Sequence, residues 1–296
     1  MRAQALGQAV AERAGGRRRW RWAWRLVGTW KGVVGCGCLL VLLAVAVLAP
    51  WLAPYRPEQT NLRAQLTPPS AQFWLGTDEI GRDILSRVIW GTPVAVQAGL
   101  LAVTLAAGVG ALSGLAAGYL GGGLDAVVMR VWDTLLAFPA IFLAIGIVTV
   151  LGPGWVNAVL AIAVINMPTF SRLVRAATLA IKGREFVEAA RGIGCTEWRI
   201  MWSTIFPNCL APLVVQMAIA VPEAILVEAS LSYLGLGSQP PAPSWGNMLS
   251  AAQAYLHQAP TYGIFPGLAI TSVVLGLSFF ADALQDAIDP RRSRAA

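Results

Sequence analysis

The chain has 296 residues, 56% of them apolar and only 12% charged, against roughly a quarter charged in an ordinary globular protein. Charge is absent from long blocks rather than thinned evenly, which excludes a soluble enzyme and points to a chain built for a bilayer. The formal charge of +7 comes from 22 Lys and Arg against 15 Asp and Glu, a surplus that in a membrane protein reports orientation, so no nucleic-acid partner is expected.

The chain opens on a basic segment, residues 1–31, with Arg2, Arg13, Arg17, Arg18, Arg19, Arg21, Arg25 and Lys31. A hydrocarbon core of about 30 Å needs about 20 apolar helical residues. Six blocks supply them, at 33–52, 93–120, 127–151, 155–171, 209–231 and 265–284. The fold class read from this pattern is all-α, a polytopic membrane protein with six transmembrane helices. The first block exceeds the roughly 7–15 residues of a signal-peptide core. It runs into Pro50, Trp51 and Pro54 without a small-residue cleavage site, so it reads as retained.

Basic residues set the orientation. The segment before the first span, Arg130, the stretch holding Arg172, Arg175, Lys182, Arg184, Arg191 and Arg199, and the end with Arg291, Arg292 and Arg294 fall on one side. Only Arg56, Arg63, Arg82 and Arg87 fall on the other, a split of 18 to 4 that predicts both termini in the cytoplasm. The loops then fall at about 53–92 and 232–264 outside and at about 172–208 inside, within a membrane domain over 32–291 and a short cytoplasmic tail at 292–296. The outer loops are rich in turn formers, with four prolines from Pro54 to Pro69 and a Gln-Pro-Pro-Ala-Pro-Ser-Trp run from Gln239 to Trp245.

Cys36, Cys38, Cys195 and Cys209 have no zinc or redox spacing, and His257 is the sole histidine, so no metal site is expected. No Gly-x-x-x-x-Gly-Lys-Ser/Thr phosphate loop occurs, so no ATP hydrolysis is expected on this chain and no cofactor of its own.

The inner loop carries most information. Glu185 to Arg191 is rich in helix formers, and Gly194 sits where a left-handed stop is wanted. Thr196 offers an N-cap, with Glu197 in the first turn. Trp198, Met201, Trp202 and Ile205 recur at helical spacing until Pro207 ends or kinks the run. The pattern predicts two short helices set at an angle by a glycine hinge. Such a lever either docks in a groove of another protein or lies on the inner leaflet.

Glu188-Ala189-Ala190, with Gly194 six residues after the glutamate and Pro207 thirteen after the glycine, resembles the EAA loop of binding-protein-dependent ABC importer permeases. Thr204 and Phe206 stand where that family pattern has Ile and Leu. Three further segments resemble the second, C-type permease of the dipeptide, oligopeptide and nickel branch. They are Leu75-Gly76-Thr77-Asp78-Glu79-Ile80-Gly81-Arg82-Asp83-Ile84-Leu85-Ser86-Arg87, Leu231-Ser232-Tyr233-Leu234-Gly235-Leu236-Gly237, and Asp286-Ala287-Ile288-Asp289-Pro290-Arg291. The resemblance implies an ABC importer type I permease fold in the bacterial inner membrane, with Glu188, Ala189, Ala190, Gly194 and Pro207 as the ATPase-coupling residues. It implies as partners a paralogous permease, two ATP-binding subunits that hold ATP and magnesium, and an external solute-binding protein. Dipeptide, longer peptide, glutathione and nickel chelate remain open as cargo.

Acidic residues near the spans are the pathway candidates, because charge in hydrocarbon costs about 3 kcal/mol at a helix centre and is turned inward. Asp133 lies three residues after Arg130 and can pair with it. Glu223 and Glu228 share one span at about 140° around the helix. Glu228 reads as the one near the outer mouth, facing water, and Glu223, behind Pro222, as a packing contact. Pro139, Pro168 and Pro222 are candidate kinks, and small residues from Ala106 to Gly118 read as a helix-packing surface. An ion-coupled carrier would use Glu223 or Glu228 for coupling. A serine hydrolase would need a serine beside His257, and Ser238 is followed by Gln rather than Gly.

Overall fold

The structure is a computed structural model that describes residues 26–288. The arginines before residue 26, the Asp289-Pro290-Arg291 half of the final motif and the tail at 292–296 lie outside the described residues. Nine helices account for most of the described chain: α1 (Trp30–Leu52), α2 (Ile84–Leu120), α3 (Gly122–Leu136), α4 (Ala140–Leu151), α5 (Trp155–Lys182), α6 (Glu185–Gly192), α7 (Glu197–Tyr233), α8 (Trp245–Ala252) and α9 (Pro260–Ile288). Among the described residues there is no strand, only an isolated bridge between Thr77 and Asp83.

Five helices, α1, α2, α5, α7 and α9, are each long and apolar enough to cross a membrane. On the third apolar block α3 and α4 together are apolar enough to cross a membrane but meet at 93°, the geometry of a broken span or of a re-entrant loop. Pro139 stands at the break as the N-cap of α4. It has no N–H to give, and it disfavours helical geometry at Phe138 before it, so the helix stops at Leu136 and restarts in a new direction. Pro168 and Pro222, by contrast, sit inside continuous helices.

The helices outrun the apolar blocks. α2 and α7 have 37 residues each, about 55 Å of helix where the hydrocarbon core takes about 30 Å. α2 begins at Ile84 because Asp83 caps it, its carboxylate accepting the Ser86 N–H at 2.8 Å and the Ser86 hydroxyl at 2.6 Å. α5 runs to Lys182, since nothing between Arg172 and Lys182 breaks a helix before Gly183. The loop expected over 172–208 therefore shrinks to a knuckle that holds α6.

α2 and α5 form the most extensive helix pair. Gly110, Gly114 and Gly118, four residues apart, let the two backbones touch. A Cβ on Gly114 would overlap the Ser171 carbonyl oxygen, and one on Gly118 would stand 2.9 Å from Thr178 Cβ and 3.0 Å from the Arg175 oxygen. The small-residue stretch of the sequence is thus a helix-packing surface. α7 packs across α2, α5 and α9, and α1 lies on the flank of α9, where Trp30 meets Phe279 edge-on and Lys31 pairs with Asp282 at 3.0 Å.

The loop before α2 is tied together by buried charge. Asp78 accepts the Arg82 N–H at 2.8 Å and the Arg82 Nε at 2.5 Å, and it faces Arg87 Nε at 3.6 Å. Arg87 also donates to the Pro57 carbonyl at 3.1 Å. These ties hold the proline-rich segment against the head of α2.

Candidate functional site

The knuckle between α5 and α7 is built from local rules. α6 carries Glu185 and Glu188 in its first turn, where acid suits the helix dipole, and Arg191 in its last. Val187 is its one buried residue, set into the same apolar cluster as Ile181, Ile200, Met201 and Ile205. The chain then reverses. Ile193 N–H donates to the Ala189 oxygen at 3.1 Å, Gly194 N–H to Arg191 at 2.9 Å and Cys195 N–H to Ala190 at 3.1 Å. Gly194 takes φ +82°, the left-handed stop that its position in the sequence predicts. Thr196 caps the next helix, its hydroxyl accepting the Arg199 N–H.

The second short helix is not short. From Glu197 the helix runs unbroken to Tyr233, passing through a wide π-helical stretch over Ile200–Ile205. Pro207, expected to end or kink this run, stands in the first turn of the α-helical part that follows. The π turns explain how: proline lacks an N–H and crowds the carbonyl four residues back, and a wider turn ahead of it removes that conflict. The hinge therefore lies at Gly194 alone, and the lever is α6.

Glu188 and Ala189 face solvent, Ala190 is half-buried and Pro207 is exposed. Beside them stand Phe186, Ile193 and Trp198, the last two 82% and 69% exposed. Bulky apolar groups are thus bared next to Glu185, Glu188 and Arg184, a composition found at protein-docking and membrane-contacting surfaces alike. Trp198, Trp202 and Phe206 follow one another along the start of α7, their rings tilted at 60° and 63° with centroids 5.6 and 5.3 Å apart.

The knuckle is fastened to the helices above it. Glu197 accepts Arg191 Nε at 3.0 Å and Nη2 at 3.3 Å, and it also accepts the Tyr119 hydroxyl from the end of α2. Lys182, closing α5, donates to the Tyr119 carbonyl at 2.5 Å and lies 5.3 Å from that ring's centroid. The bond to Glu197, and then that to Tyr119, holds the Arg191 guanidinium above the ordinary arginine range. The sequence reading missed Tyr119 and Lys182; the one available signal was a polar residue at the end of each of two long apolar runs.

The acidic candidates fall differently from their sequence reading. Asp133 pairs with Arg172 of α5, not with Arg130. Asp125, eight residues earlier on α3, repeats the device, taking Arg175 in a two-pronged bond at 2.5 and 2.6 Å, so α3 is clipped to α5 by two ion pairs. Glu228, expected to face water, is 2% exposed and accepts the Ser232 hydroxyl at 2.7 Å and the Ser238 hydroxyl at 3.3 Å. Glu223, expected to be a packing contact, is the exposed one. The chain turns back after Tyr233 and brings Ser238 onto Glu228, a fold-back invisible in helical spacing. His257 is exposed in the turn before α9.

Comparison with known proteins now bears on this geometry. Residues 106–294 match the model of the binding-protein-dependent transport system inner membrane component, and residues 19–69 match the N-terminal TM domain of oligopeptide transport permease C. The dipeptide transport system permease protein DppC of Alkalihalophilus pseudofirmus is 42% identical over 92% of this chain and 90% of its own length. The di/tripeptide transport system permease protein DppC of Pseudomonas aeruginosa is 43% identical over 92% of each chain. The glutathione transport system permease protein GsiD of Pectobacterium atrosepticum is 41% identical over 93% of this chain and 92% of its own. With its membrane-crossing helices, the chain belongs to the family of binding-protein-dependent transport system inner membrane components, as a multi-pass permease of the C type.

Proposed function

We propose that this chain forms half of the translocation pathway of an ATP-driven importer for di- or oligopeptides or a related small solute such as glutathione. A paralogous permease supplies the other half, one of two separate ATPase chains docks on α6, and a solute-binding protein delivers cargo from outside. The observation that carries the reading is the exposed knuckle: Glu188 and Ala189 on α6, Gly194 at its hinge, and Phe186, Ile193 and Trp198 bared beside them. The relatives named for dipeptides and glutathione support the cargo class. The 18 to 4 split of basic residues supports an orientation with the knuckle and both termini in the cytoplasm. Among the acidic residues, Glu223 is exposed in a span, which supports it, ahead of sealed Glu228, as the carboxylate that meets cargo.

The test is made on the loop. Gly194→Val forces a β-branched residue into the left-handed region at a cost of about 1 kcal/mol or more, with open space around it, so its effect is confined to the hinge. Glu188→Arg reverses the charge of an exposed side chain without touching packing. Both variants insert normally, lose ATP-dependent uptake and retain less ATPase subunit on purification. Wild-type uptake and wild-type ATPase recovery in both would remove α6 as the docking lever.

A further inference from the structure

α6 is hung lightly. Of its eight residues only Val187 is buried, and its side-chain bond to the rest of the chain runs through Arg191 to Glu197. A lever held by Val187, half-buried Ala190 and a glycine hinge would swing without moving the helices above it. Something has to stiffen the joint.

Four side chains from four elements meet there. Tyr119, the penultimate residue of α2, is 5% exposed, and its hydroxyl donates to Glu197 at the start of α7. Glu197 holds Arg191 of α6 with both carboxylate oxygens, and Lys182 at the end of α5 caps the Tyr119 carbonyl at 2.5 Å. The cluster therefore ties α6 to the ends of α2 and α5 and to the head of α7. Just above it, Gly118 and Gly114 bring α2 and α5 into backbone contact, so the pair has no slack in which a push on Tyr119 can be lost.

We propose that Tyr119, Lys182, Arg191 and Glu197 form a coupling joint, a set of positioning residues that fixes the angle of α6 and passes force between the ATPase-docking knuckle and the α2–α5 pair. This inference rests on the proposed function. It adds the residues through which the docking event reaches the membrane helices, and none of the four is itself the docking contact. The joint works in both directions, since an energetic coupling between two sites is reciprocal. Binding-protein docking outside is felt by the ATPases through the same four residues that carry ATP-driven change outward.

The experiment uses the full complex in proteoliposomes, with the partner binding protein as purified from cells, carrying its own solute. The readout is the fold by which that protein stimulates ATP hydrolysis. Tyr119→Phe removes one hydroxyl and keeps the ring, so the complex assembles and its unstimulated rate stays at the wild-type value. Stimulation falls about fivefold or more, the range of ordinary intersite coupling. Glu197→Gln loses it as well, and the exchange Arg191→Glu with Glu197→Arg restores it, because the pair re-forms with Tyr119 now accepting from the arginine. A purely structural role would lower the amount of complex and leave stimulation per complex unchanged. Full stimulation in both Tyr119→Phe and Glu197→Gln, or no recovery in the exchange, overturns the joint. A wild-type chain that recovers no ATPase subunits overturns the importer reading itself, a result seen before any variant is measured.

Discussion

Gly114→Ala tests the packing on which the rest of the molecule hangs. The added methyl would overlap the Ser171 carbonyl oxygen and stand 2.9 Å from the carbonyl carbon and 3.0 Å from Cα, all backbone atoms that no rotamer change can move aside. Restoring ordinary contact distances requires α2 and α5 to part by about 1 Å, and gaps of about 0.5–1 Å forfeit a quarter to a half of each dispersion well. The separation also spreads to Gly110, whose added Cβ would already be 2.6 Å from Phe170 Cβ, and to Gly118. Overpacking commonly costs about 1–3 kcal/mol, and a clash of backbone on backbone belongs at the upper end. Gly108→Ala is the control: on the same helix, nothing lies within 4 Å of the added atom, so the substitution gains about 0.5–1 kcal/mol of helix propensity instead. The assay is the fraction of monodisperse protein left in detergent after stepwise heating. At about 1.5–2 °C per kcal/mol for a chain of this length, Gly114→Ala lowers the midpoint by about 5 °C. Equal heat resistance of the two variants would refute the account of α2–α5 packing.

Two further outcomes are expected. Glu228→Gln keeps an oxygen that accepts from Ser232 and Ser238 and leaves assembly and uptake near wild type, whereas Glu228→Ala strands two buried hydroxyls beside a cavity and costs about 2–4 kcal/mol, read as loss of assembled complex. Selective loss of cationic cargo in Glu228→Gln, with assembly intact, would put the carboxylate back in the pathway. Single cysteines at Gln65 and Gln239, both exposed, react with an impermeant maleimide added to intact cells, and one at Gly183 does not. Labelling at position 183 from outside reverses the orientation.

What the sequence determined by itself is what local physics determines. Apolar blocks of about 20 residues are spans because an unpaired backbone cannot sit in hydrocarbon, and five continuous helices and one bent pair fall on the six blocks. Gly194 was legible as a left-handed stop because the helix formers before it and the Thr196 cap after it leave one residue to turn on. The EAA spacing was legible because it is a run along one stretch of chain. Three things waited on tertiary structure. Hydropathy registers only what lipid selects, so it could not see that α2 and α7 continue well past the apolar blocks once Asp83 and Thr196 cap them. Helical spacing put Arg130 within reach of Asp133, but Arg172 on a neighbouring helix takes that carboxylate, a choice made by how α3 and α5 pack. Glu228 and Tyr119 have partners ten and 78 residues away, Ser238 and Glu197, brought in by a chain reversal and by a helix crossing. Periodicity carries the face of a helix but not the neighbour that face meets, so buried polar groups, whose roles are set by their partners, are where sequence reading stops.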